Sequence, residues 1–113
     1  MSSIDIALEF LKYFCRGDIG HLSTLISENF VFKGPFVEFD SKESYLAFLM
    51  ENPPENFQID VLKTFESGND VCLFYIFSKP GVHTPMAQYF KFDKGKIIET
   101  LLVFDSAVFS ENE

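Results

Sequence analysis

A chain of 113 residues can bury a core without metals or disulfides, and it is the length of one domain, taken here as residues 1–113. Hydrophobic residues at 47% and charged residues at 23% exclude global disorder. The net charge of −8, with nine basic residues scattered singly, excludes a binder of phosphate backbones, so no nucleic-acid partner is expected.

From Ser3 to Arg16 the residues Ile4, Ala7, Leu8, Leu11, Phe14 and Cys15 recur at helical spacing, with Ser2 or Ser3 as cap and Gly17 as stop. Asp18 opens a second helix carrying Ile19, Leu22, Leu25 and Ile26, which should end at Ser27 to Asn29. A short aromatic strand, Phe30 to Lys33, is broken by Gly34-Pro35. A third helix starts at Asp40, with Glu43 in capping-box spacing, and stops at Asn52-Pro53-Pro54. The period then switches to two. Phe57, Ile59, Val61 and Phe65 alternate with Gln58, Asp60, Thr64 and Glu66, a strand with one wet face. Ser67 to Asp70 is a turn. Val71 to Phe77 is apolar on both parities and should be covered on both faces. Pro80 to Pro85 reads as a connection, Met86 to Asp93 as a strand, Asp93-Lys94-Gly95 as a hairpin turn, and Ile97 to Phe104 as a last strand, again apolar on both parities. Three helices followed by a meander make an α+β fold.

Fifteen phenylalanines exceed what a two-layer core of this size needs, so a ring-lined cavity, a subunit interface or both should use the surplus. Cys15 and Cys72 lack CxxC or zinc spacing and read as small buried hydrophobes. No charged-then-apolar leader opens the chain and no apolar run approaches the ~20 residues of a membrane span. The expected compartment is the cytoplasm, with no membrane partner.

Gly17-Asp18 between the first helices, the phenylalanine-rich strand ending at Gly34-Pro35, the Tyr89 to Glu99 hairpin and the closing Val103-Phe104-Asp105 together resemble the nuclear transport factor 2-like superfamily, SnoaL-like branch. That resemblance implies a cone-shaped, curved antiparallel (mixed) sheet of the cystatin-like kind. Three N-terminal helices would cover its concave face and leave a pocket. It places Phe10 where steroid isomerase members carry a tyrosine, Gly34 where they carry an aspartate base, and Gln88 where they carry a second acid. Phe and Gly cannot transfer a proton and Gln does not titrate. The Asp-Arg-Asp set of epoxide hydrolase members has no counterpart, since Arg16 is the chain's only arginine.

On the penultimate strand Met86, Gln88, Phe90 and Phe92 share a face, which the resemblance turns inward, and Gln88 is its one polar member. An inward Gln88 should hold a partner: a ligand, a water or a tyrosine hydroxyl. Replacing it with Leu should leave stability unchanged or slightly improved. The expected ligand-pocket residues are Phe10, Phe14, Phe32, Met86, Gln88, Phe90, Thr100, Leu102 and Phe104. On the last strand Ile98, Thr100, Leu102 and Phe104 should form one face and Ile97, Glu99, Leu101 and Val103 the other.

His83, in the connection beside Pro85, is the candidate catalytic base. His21 reads as surface, Asp60 and Glu66 as wet-face residues, and Asp105 as a cap or surface ion. No metal-spaced cluster, phosphate loop or Ser-His-Asp order is present, and no cofactor is expected. The expected function is binding of a small, mostly apolar molecule. The alternatives are a cofactor-independent isomerase, cyclase or hydratase using the same pocket, and a structural dimerisation module whose cone is filled by its own rings. The expected partners are a small hydrophobic ligand and a second copy across the sheet.

Overall fold

The computed structural model describes residues 2–54 and 57–110. The first helix, α1 (Ser3–Arg16), starts on a capping box: the Ser2 hydroxyl accepts from the Asp5 amide, and the Asp5 carboxylate accepts from the Ser2 amide. Gly17 ends it at φ 69°, a left-handed backbone that a Cβ would strain. Asp18 caps α2 (Ile19–Ser23), accepting from the His21 amide at 3.2 Å.

This second helix is shorter than its sequence suggests. The Thr24 hydroxyl bonds the His21 carbonyl at 2.7 Å, closing the helix, and Ile26, expected on it, instead opens β1 (Ile26–Lys33). A distant strand decides this, because the Ile97 amide donates to the Leu25 carbonyl at 3.0 Å and Ile97 pairs with Ile26. The polar run Ser27 to Asn29 lies where the register shifts between the Ile26 and Val31 pairings. A short β2 (Glu38–Phe39), unforeseen in the sequence, folds back on β1. The third helix, α3 (Lys42–Glu51), is capped by Ser41 rather than Asp40: the Ser41 hydroxyl accepts from the Ser44 amide at 3.1 Å.

Four long strands follow as an antiparallel meander: β3 (Gln58–Ser67), β4 (Asp70–Lys79), β5 (Val82–Asp93) and β6 (Lys96–Phe104). The first strand joins β6 in parallel, giving one mixed sheet in the order β2-β1-β6-β5-β4-β3. The fold is α+β, with α1 to α3 on one side of a curved sheet. A fourth helix, α4 (Ala107–Ser110), is an addition to the expected three and packs against β5.

Strand β5 begins inside the segment read as a connection. Pro80-Gly81, with Gly81 at φ 85°, reverses the chain in two residues and pairs Lys79 with Val82. Pro85 is tolerated because β5 pairs with β6 only from Met86 onward, so beside Pro85 that edge is open and its missing N–H breaks no ladder there.

Two bulges reset the side-chain alternation. Between Val61 and Lys63 the register shifts, so Phe65 sits opposite Cys72 on the outer face and not with Phe57 and Ile59. In β6, Phe92 pairs with Ile97 and Lys91 with Glu99, leaving Ile98 unopposed. Ile97 is therefore fully buried with Thr100, where strict alternation puts it on the opposite face.

The core lies on the inner face, where Val71, Leu73, Tyr75 and Phe77 of β4 pack with Phe10 and Leu11 of α1 and Tyr45 and Leu49 of α3. Within one copy β4 and β6 are covered on that face alone. Phe74 is 42% exposed and Val103 54% exposed, against the expectation of cover on both sides. Cys15 and Cys72 are only partly buried. Among the described residues no helix is long and apolar enough to cross a membrane.

Candidate functional site

Between the inner face of the sheet and α3 lies a cavity of about 420 Å³. It opens where four segments meet: the loop after β1, the residues following α3, the end of β4, and α4. Of the residues expected at a pocket, Phe14, Phe32, Met86, Leu102 and Phe104 line it. Phe10, Gln88, Phe90 and Thr100 do not; they are buried away from it.

Gln88 is bound within the protein. Its Oε1 accepts from the Tyr75 hydroxyl at 2.8 Å and its Nε2 donates to the Thr100 hydroxyl at 2.9 Å. All three side chains are buried, and they sit diagonally on β4, β5 and β6, where cross-strand neighbours reach one another. Burial pushes the Tyr75 hydroxyl well above its ordinary range, with Cys15 adding to the effect. It therefore stays protonated and able to donate.

Tyr45 of α3 lines the cavity. It is 2% exposed, stacked on Phe32 at 5.3 Å and edge-on to Phe39 at 5.5 Å. Its hydroxyl is buried without a hydrogen-bond partner among the described residues. Burial first, and then Tyr75, raise its pKa far above the usual phenol value, so it remains a neutral donor and acceptor.

Gly34, at the position the resemblance gives to a base, also lines the cavity. A Cβ there would lie 3.1 Å from Phe32 Cε1 and 3.7 Å from Leu102 Cβ, so a carboxylate would have to push the Phe32 ring aside. At the opening, Phe36, Phe104 and Phe109 form an edge-to-face cluster, with centroids 5.4, 5.6 and 5.1 Å apart. Phe57 and Phe77 adjoin it, 4.9 Å apart. Lys79 lies among these rings and is the one charged side chain among the described lining residues.

His83 is elsewhere. It is exposed, with Nδ1 3.0 Å from the Ser78 hydroxyl, and does not line the cavity. His21 is also exposed, 2.7 Å from the Asp18 carboxylate. Asp105 accepts from the Ala107 amide at 3.0 Å and so caps the start of α4, while Asp60 and Glu66 are exposed on β3. The lining residues that sequence reasoning did not place at a pocket include Tyr45, Lys79, Phe57, Phe77 and Phe109. Each reads locally as ordinary helix, turn or strand, and only the tertiary packing brings them round one space. The surplus of phenylalanine was the advance signal for the rings among them.

A sequence profile of the SnoaL-like domain matches residues 7–100. The chain belongs to the SnoaL-like family. Solved structures agree on the SnoaL-like fold and its place in the nuclear transport factor 2-like superfamily. A nuclear transport factor 2-like protein of unknown function from Cytophaga hutchinsonii is 27% identical, with a TM-score of 0.84 over 97% of this chain and 96% of that one. A putative SnoaL-like polyketide cyclase from Shewanella putrefaciens is 16% identical, with a TM-score of 0.83 over 98% of this chain and 85% of that one. An LEH-like epoxide hydrolase from M. tuberculosis is 14% identical, with a TM-score of 0.81 over 96% of this chain and 86% of that one. No curated protein matches the SnoaL-like chain in sequence.

Proposed function

We propose that this SnoaL-like protein binds a small, mostly apolar molecule in the cavity beneath α3. The observation that carries the reading is Tyr45: a buried phenol whose ring forms part of the wall of a mainly apolar space, with no hydrogen-bond partner among the described residues. A buried polar group left unpaired costs about 1–3 kcal/mol, which a ligand oxygen or nitrogen beside it would offset. The rings of Phe14, Phe32 and Phe104, with Met86 and Leu102, supply the apolar contact that a ligand body needs.

Binding is favoured over acid–base chemistry. The polyketide cyclase and the epoxide hydrolase share the fold at 16% and 14% identity, and the described lining of this cavity holds no carboxylate and no imidazole that could move a proton. Tyr45 is held neutral by burial and is suited to donating a hydrogen bond rather than to taking a proton.

The test is a titration with 2-(2-naphthyl)ethanol, a neutral ring system with one hydroxyl. The chain has no tryptophan, so the naphthyl fluorescence is read without overlap from indole emission. The expected result is saturable binding to one site, weakened about tenfold in Tyr45→Phe, which keeps the ring and loses the hydrogen bond. Absence of saturable binding would overturn the reading.

A further inference from the structure

Lys79 gives the cavity opening a charge that the apolar walls do not require. It ends β4, and its Nζ lies 5.9 Å from the Phe57 centroid and 5.4 Å from the Phe109 centroid, between two rings of the rim. Among the described residues the ion pairs are His21 with Asp18 and Lys42 with Glu28; no carboxylate lies within ion-pair distance of Lys79. Most of the nine basic residues are without an ion-pair partner among the described residues; Lys79 differs from them in bordering the cavity and lying over two of its rings.

Resting on the binding role proposed above, we infer that the cavity's ligand is an amphipathic organic acid. Its body, apolar but for the polar atom beside Tyr45, lies along Phe32, Met86 and Leu102, and its carboxylate meets the Lys79 ammonium at the opening. The polarity of the site sets this orientation. Inside, the lining offers a neutral phenol and apolar carbon, which cannot compensate a buried charge. At the opening, an ammonium partly shielded by rings can form a charge-assisted hydrogen bond while the head group keeps part of its hydration. A lone lysine is a point charge and fits a single carboxylate. An apolar cation would be repelled there, and a neutral molecule would gain nothing from it.

The experiment compares 2-naphthylacetate with 2-(2-naphthyl)ethanol, which share the ring system and differ in charge. Wild type is expected to bind the acid about tenfold more tightly than the alcohol. Lys79→Met keeps an apolar stem over the rings and removes the charge; whatever its absolute affinity for the alcohol, the ratio of acid to alcohol affinity should fall to about one. Lys79→Arg should retain the preference. Equal binding of both probes by wild type, or an acid preference that survives in Lys79→Met, overturns the inference and leaves the cavity reading standing. Failure of both probes to bind overturns both.

Discussion

Tyr75, Gln88 and Thr100 form a buried line of side-chain hydrogen bonds across three strands, and this changes what a substitution at Gln88 should do. Seen as an isolated inward carboxamide, Gln88 could give way to Leu at no cost. In the folded chain the same change strands the Tyr75 and Thr100 hydroxyls, both buried, without the partner that satisfies them. Gln88→Leu is therefore expected to lower stability by about 1–3 kcal/mol in a denaturant melt, and Gln88→Glu, which removes the amide donor and buries a charge, by more. A neutral effect of the Leu variant would mean that the three groups are not coupled. The contrast with Tyr45 is instructive. Both are buried polar groups on the inner side, but of the two only Tyr45 is without a partner among the described residues, so a ligand is better sought beside Tyr45 than at Gln88.

At the scale of the elements, the bulge in β6 is the feature with the largest consequence for side-chain placement. It turns Ile97 into the core and leaves Ile98 opposite no residue of β5. Ile97→Ala should cost about 2–5 kcal/mol, the usual range for emptying a buried aliphatic site, and Ile98→Ala distinctly less. The reverse order would place the register where simple alternation has it. The bounds of α1 were legible because a capping box and a C-terminal glycine are local signals. The starts of β1 and β5 were not, because Ile26 becomes a strand residue through Ile97 and Pro85 is accommodated only by the open edge beside it. The inward parity of Met86 followed from alternation along β5. Tyr45 and Lys79 could not be singled out, since nothing in a helix or a turn says which residues will border a gap between layers.

Over the whole molecule, the outer face of the sheet asks for a partner. Strand register sets Phe65, Cys72, Tyr89 and Leu101 in one row, and Lys63, Phe74, Ala87 and Val103 in the next. Phe65, Phe74, Leu101 and Val103 are all exposed, a contiguous apolar patch of the kind monomers avoid. The partner we propose is a second copy, with the same strip of its own sheet laid across the two-fold axis. Sedimentation at tens of micromolar should find a dimer, and Phe74→Glu should give a folded monomer. A wild-type chain that stays monomeric throughout that range would remove the proposal.

The outer patch and the inner cavity are both apolar, so a binding curve by itself does not say which one a hydrophobic probe has found. Neighbouring residues of β6 make the distinction: Leu102 borders the cavity, while Leu101 and Val103 face outward. The direct measurement is the set of intermolecular nuclear Overhauser effects from bound 2-(2-naphthyl)ethanol to assigned methyl groups. Binding in the cavity predicts contacts to the Met86 and Leu102 methyls and none to those of Leu101 and Val103. Contacts to Leu101 and Val103 without Met86 and Leu102 would contradict it.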